Sequence, residues 1–261
     1  MSKFYMAKDL LNDRIVGVKI IDRKKAKQVE DRIKLLNKKV VKPSEGEIAS
    51  MFDHPYIVKT FEYGLTTEND PYLVMEYLEG TGLNNILMVK QDLLAGGRLR
   101  YIRQCAEALR EVHEKGLIHR DYCPRNLLFT GDGQCLKLID FGLTVPNQQP
   151  FTDPGNRTGT PNYMAPELIR RRETNERLDI FAFGVTMYEL CTRELPWPRG
   201  TSGLAAMSHD QPPMPITEYR PHIHPKLAAA IHSCLIADPK KRCDSMAYFL
   251  RQISHIEKED I

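Results

Sequence analysis

The pattern of hydrophobic and polar positions changes period once along the chain. Up to about residue 80 the apolar residues come in short β-branched or aromatic runs: FYMAK, RIVGVKII, YIVKTFEYG and YLVMEYL. Asp, Asn and Gly separate them, and runs of this kind predict strands. Between the second and third runs a charged stretch predicts one helix. From Gly80 onward the apolar steps become three and four residues. Leu99, Ile102, Ala106, Leu109 and Val112 trace one helical face, with Gly116 as the stop. Residues 178–191 are apolar on all sides, as in a helix buried within a core. Leu227, Ile231, Cys234 and Leu235 predict a further helix with a single apolar face. The pattern therefore predicts an α+β chain, with a small β-rich part followed by a larger helical part and a join near Glu76 to Gly80.

Composition narrows the class. With 261 residues, 42% hydrophobic and 27% charged, the chain has the mix of an ordinary globular protein. Disordered tails, fibres and small disulfide scaffolds are excluded. No apolar stretch approaches the roughly 18 residues of a membrane span, and MSKFYMAKDLLNDR has no apolar core of a signal peptide. The six cysteines stand far apart, without a C-x-x-C pair, and read as reduced and mostly buried. These features together predict a cytoplasmic chain. His222 and His224, set among prolines, read as loop residues rather than metal ligands. The net charge of +3 is uneven: residues 19–42 carry ten Lys/Arg against three Asp/Glu. Such a run can bind nucleic acid or an acidic partner, or be the solvated face of a helix. It holds no aromatic residue to stack on bases, so a solvated face is the expectation and no nucleic-acid partner is expected.

Three short strings carry the chemistry: HRDYCPRN from His119 to Asn126, DFG from Asp140 to Gly142, and GTPNYMAPE from Gly159 to Glu167. Three such strings, in this order and at loop-sized spacing, are not chance. The sequence resembles the eukaryotic-like protein kinase family, in the serine/threonine branch found also in bacteria, from about Lys3 to the end. The resemblance implies the bilobal kinase fold, with a small β-rich lobe over 1–79 and a helical lobe over 80–261. It also implies ATP and Mg2+ as cofactors, and a protein acceptor hydroxyl on Ser or Thr.

Phosphoryl transfer asks a protein mainly to position groups and neutralise charge. In the resemblance Asp121 is the carboxylate that accepts the acceptor's proton, and Asn126 and Asp140 are the magnesium ligands. VGVK from Val16 to Lys19 matches the strand whose lysine contacts the α- and β-phosphates. Its partner is expected nine residues before His54 of HPYIV, at Glu45, with Glu47 as the alternative register. YLVMEYLEG matches the hinge, with Met75 as gatekeeper, the Glu76 to Leu78 backbone facing adenine, and Leu128 under the ring. Thr160 marks a Ser/Thr acceptor. Asp179 is the expected buried tie for the catalytic loop, and Glu167 is expected to pair with Arg242. Arg120 beside the base implies control by a phosphate on the activation loop. Thr144, Thr152 and Thr158 are the candidates there, with Thr158 favoured.

Three departures qualify the match. The Gly-rich phosphate loop would precede Phe4 and Tyr5, and Ser2 stands in the place of its last glycine. Either a longer kinase is cut short here or the loop has been shed. Cys123 stands where serine/threonine kinases place a lysine, and Arg125, four residues after Asp121, is expected to supply that charge. Gly17 replaces an alanine, a missing methyl worth about 0.8 kcal/mol. The leading expectation is an active kinase, because the set Lys19, Glu45, Asp121, Asn126 and Asp140 is complete. The alternative is a non-catalytic kinase-fold binding module, and a nucleic-acid binder using the 19–42 segment is a remote third. Dimers through the small lobe are a family expectation that no residue demands.

Overall fold

The computed structural model describes residues 2–22, 41–89, 93–155, 157–198 and 208–260. Strands β1 (Lys3–Asp9) and β2 (Arg14–Ile20) form a hairpin. Its turn is held by Asp9, whose carboxylate accepts from the Leu11 and Asn12 amides, a local bond that favours turns over continued strand. Helix α1 (Glu45–Ala49) follows, then β3 (Thr60–Leu65) and β4 (Pro71–Glu76). The four strands make one antiparallel sheet in the order β1-β2-β4-β3. The four apolar runs thus became the four strands. Between the second and third runs, where one charged helix is expected, the structure has α1; residues 23–40 of that stretch lie outside the described residues, as does most of the basic 19–42 segment.

Register decides which side chains share a face, because directly opposed residues point the same way. Phe4 opposes Lys19, Lys19 opposes Leu73, and Gly17 opposes Met75. Leu73 and Met75 are buried, so this is the inner face, and it carries Lys19 toward the helical part. Five residues are too few for a helix to be stable alone. α1 is fixed instead by its ends and its buried face. Ser44 accepts from the Glu47 amide at 3.1 Å while Glu47 accepts from the Ser44 amide at 2.7 Å, a reciprocal cap, and Ile48 is wholly buried.

The helical part contains α2 (Leu83–Met88), α3 (Arg98–Glu114), α4 (Pro166–Ile169), α5 (Arg177–Thr192), α6 (Pro225–Cys234) and α7 (Met246–Gln252). Between α3 and α4 lie two small ladders. β5 (Leu117–Ile118) pairs with β8 (Val145–Pro146), and β6 (Leu127–Phe129) pairs with β7 (Leu136–Leu138). α3 buries Leu99, Ile102, Ala106, Leu109 and Val112, and ends before Gly116 at φ +69, the left-handed conformation that glycine adopts without strain. α5 is buried along almost its whole circumference. It passes so close to α6 that a Cβ on Gly184 would lie 2.7 Å from Cβ of Cys234. His224, read from sequence as a loop histidine, caps α6 by accepting from the Lys226 amide.

Sheet and helices share one core. The Val58 amide donates to Leu138 and the Leu138 amide to Tyr56, both at 2.9 Å. Phe52, just past α1, stacks on Phe141 with ring centroids 4.7 Å apart, and Phe141 meets His119 edge-on at 5.6 Å. These contacts bring the loops at the ends of β5, β7 and α1 to one place.

Candidate active site

At that place lies a cavity of about 600 Å³, whose lining includes Lys19, Lys42, Glu45, Asp121, Asn126, Asp140 and Gly142. Lys19 reaches it from β2. Its ammonium donates to Glu45 at 2.5 Å and stands 3.2 Å from Asp140 Oδ1. Glu45, not Glu47, is therefore the partner, since Glu47 is used in the α1 cap. Burial would depress the Lys19 ammonium, but Glu45 and Asp140 outweigh it and hold its pKa above the ordinary lysine value. Burial raises Glu45 despite the opposing Lys19. At Asp140 burial is overcome by Lys19 and by the Gly142 amide, which donates to Oδ1 at 2.8 Å, so its carboxyl stays below the usual range.

A second group comes from the loop after β5. Thr160 Oγ1 donates to Asp121 Oδ1 at 2.6 Å. Arg125 donates to Thr160 Oγ1 at 3.0 Å and to Asp121 Oδ2 at 3.3 Å. Asn126 donates to the Asp121 carbonyl at 2.8 Å and to Oδ2 at 3.1 Å. Both Asp121 oxygens are thereby oriented by neighbours. Arg125 has 64% of its side chain exposed, so its guanidinium faces solvent beside the base. Cys123 Sγ lies 3.7 Å from Thr160 Oγ1, and burial pushes its thiol up, with Asp121 adding to the effect. It is a neutral thiol and supplies no charge.

The loop bearing Asp121 is tied from beneath. Asp179, fully buried on α5, accepts from the His119 amide at 2.7 Å and the Arg120 amide at 2.8 Å, and meets His113 at 3.1 Å. Arg120 holds φ +69, a strained conformation for a non-glycine residue that its surroundings must enforce. Its guanidinium is buried and donates to the Phe151 carbonyl. Burial lowers its pKa to about 10, against the pull of Asp179. One of its nitrogens is thus taken by a main-chain carbonyl, while its Nε is buried without a hydrogen-bond partner among the described residues. Of the three activation-loop threonines, Thr144 and Thr152 are buried and Thr158 is partly exposed. Glu167 and Arg242 form a two-pronged pair at 2.7 and 2.9 Å.

The hinge-side residues are not among the residues that line this cavity. Met75 is buried and Leu78 packs against the core. Glu76 uses its amide on Lys59 and its carboxylate on Lys137 at 2.6 Å. Leu128 pairs within the β6–β7 ladder. One expectation needs correction. Gly17 is not simply short of a methyl: a Cβ there would come 2.7 Å from Cζ of Phe4. The Phe4 ring fills that space and stacks at 6.5 Å on Tyr77. Phe4 and Lys42 escaped sequence reasoning because neither belongs to a motif. Phe4 opposes Lys19 and reaches Gly17 diagonally, two positions along the same face, a relation that appears only once the strand register is known.

The description "Protein kinase domain" matches residues 1–253. The chain belongs to the protein kinase family. It is 35% identical over 87% of its length to hormonally up-regulated neu tumor-associated kinase homolog B of Xenopus laevis, covering 35% of that protein. To the human hormonally up-regulated neu tumor-associated kinase it is 33% identical over 89% of its length, covering 32% of that protein. To the serine/threonine-protein kinase pkn3 of Myxococcus xanthus it is 28% identical over 99% of its length, covering 48% of that protein. The chain thus spans between about a third and a half of these relatives. Among the described residues no helix is long and apolar enough to cross a membrane.

Proposed function

We propose that the chain is a protein serine/threonine kinase, transferring the γ-phosphate of ATP to Ser or Thr hydroxyls of protein substrates, its own chain among them. The observation that carries this reading is the convergence of Lys19, Glu45, Asp121, Asn126 and Asp140 on one cavity. In this reading residues 1–79 and 80–261 are the two lobes. Asp121 accepts the proton of the acceptor hydroxyl, with Thr160 and Asn126 fixing its two oxygens. Lys19, held by Glu45, contacts the α- and β-phosphates. Arg125 supplies the positive charge that Cys123 cannot. The nucleobase lies against Met75 and the Glu76 to Leu78 main chain, with Leu128 beneath.

The donor set suits magnesium, which takes hard oxygen ligands. Asn126 spends its amide nitrogen on Asp121, which leaves its side-chain oxygen as the ligand. Against its burial, Lys19 and the Gly142 amide hold the Asp140 carboxyl below the usual range. Asp140 and Asn126 would hold the ion, which when bound neutralises phosphate charge. The five buried cysteines among six free ones support a reducing, cytoplasmic setting.

The test is phosphate transfer from labelled ATP with Mg2+ to a generic Ser/Thr protein and to the chain itself, with Asp140→Asn as blank. Incorporation on Ser/Thr that vanishes in the blank is the expected result. No incorporation by the unaltered chain would overturn the reading in favour of a binding module, and label on tyrosine alone would overturn the acceptor class.

A further inference from the structure

Lys42 belongs to none of the motifs, yet it lines the same cavity. Its ammonium donates to the carbonyl of Gly142 at 3.2 Å. Burial lowers its pKa from the ordinary lysine value, with Arg120 adding to the fall and Glu45 and Asp140 opposing it, so it is held among the charges of the site rather than in open solvent. Three further contacts then close a ring. Gly142 donates its amide to Asp140 Oδ1, Asp140 faces Lys19, and Lys19 is paired with Glu45. Glu45 is the first residue of α1, three positions after Lys42. Both ends of the ring therefore sit on one short segment, across which Pro43 restricts the backbone and the Ser44–Glu47 cap fixes the helix start.

We propose that Lys42 is a positioning residue that couples the placement of α1 to that of the 140–142 loop. Through it, together with the Phe52–Phe141 stack, the Lys19–Glu45 pair and the Asp140 carboxylate are assembled in concert. The physical basis is that α1 is too short to hold its own position and the loop has little regular structure. A charge-assisted bond onto a main-chain carbonyl ties the backbone of one to the start of the other. It acts on the main chain, so it orients Asp140 without touching its carboxylate. The consequence for binding rests on the kinase reading above; the coupling itself does not.

The experiment is amide hydrogen exchange on the full chain, read over residues 45–52 and 140–146, with Lys42→Met and Lys42→Arg. Lys42→Met removes the donor at similar length, and exchange should rise in both segments together by about tenfold or more. Lys42→Arg keeps a charged donor and should stay within about threefold of the unaltered chain. Calorimetry then compares ATP with Mg2+ against ATP with a chelator. Lys42→Met should weaken the first by about tenfold and the second by less than about twofold. The proposal is overturned if Lys42→Met leaves exchange unchanged, if only one segment loosens, or if Lys42→Arg is as damaging as Lys42→Met. Should the unaltered chain bind neither form of ATP, the kinase reading fails while the exchange result still decides the coupling.

Discussion

Phe4 occupies the space that a methyl on Gly17 would need, its Cζ standing 2.7 Å from that position. Phe4 is 56% exposed and its ring tip can swing. Gly17→Ala should therefore displace the ring rather than unfold the sheet, leaving Tm within about 2 °C. The effect should fall on nucleotide binding. Phe4→Val combined with Gly17→Ala should be non-additive, with a coupling of about 0.5–3 kcal/mol in a double-mutant cycle on ATP affinity. Additive effects would show that the two residues do not share the space in solution.

Arg125 donates to both Thr160 and Asp121 and forms an ion pair with the base. Arg125→Ala should lower kcat by about 10²-fold or more, and Asp121→Asn by about 10²- to 10⁴-fold. Steady-state transfer to a Ser/Thr peptide measures both. If Arg125→Ala left the rate unchanged while Asp121→Asn abolished it, Arg125 would not supply the missing charge.

Autophosphorylation sites should follow exposure. Thr144 and Thr152 are buried, with Thr144 bonded to the His119 carbonyl, whereas Thr158 is partly exposed. Peptide mapping of the chain incubated with ATP and Mg2+ should find Thr158 modified and Thr144 unmodified. The reverse pattern would require the loop to open.

The Glu167–Arg242 pair is two-pronged, and Arg242 also donates to the carbonyls of Arg177, Ile236 and Ala237. Arg242→Met leaves Glu167 buried and unpaired. It should cost about 3–5 kcal/mol and lower Tm by roughly 10 °C. Thermal unfolding followed at the single tryptophan, Trp197, reads this directly, and a shift of less than about 2 °C would contradict it.

His209 and His232 are held below the ordinary histidine range, in both cases chiefly by burial. His209 donates from Nδ1 to the Met164 carbonyl at 2.8 Å, and the Ile216 amide donates to His232 Nε2 at 3.1 Å. The unfolded chain then takes up protons first as pH falls. Stability is full above about pH 6.5 and is lost below it, until the folded residues are themselves protonated. Urea unfolding between about pH 8 and 5.5 should show this slope, and His209→Gln should reduce it while His232 keeps the remainder. A flat profile in the unaltered chain would refute the assignment.

Much of the site was legible because its residues are dictated by chemistry at short range. Asp121, Asn126 and Asp140 lie in strings whose order in the chain is also their order in the loops. The strands and the long helices were legible for a related reason, since alternation and three- or four-residue steps express one buried face each. Lys42 and Phe4 were not. Their partners, Gly142 and Gly17, are glycines without side-chain chemistry, and the Lys42 contact spans 100 residues.

By itself the sequence determined the strands, the buried α5 and the residue types able to carry phosphoryl transfer, because local pattern and chemical identity are written into single residues. The tertiary structure alone decided which of Glu45 and Glu47 meets Lys19, that one Arg120 nitrogen donates to the Phe151 carbonyl, and that Gly17 makes room for a ring. Each of these is a competition between groups distant in the chain. Packing settles such a competition, because a side chain buried with one partner is unavailable to another.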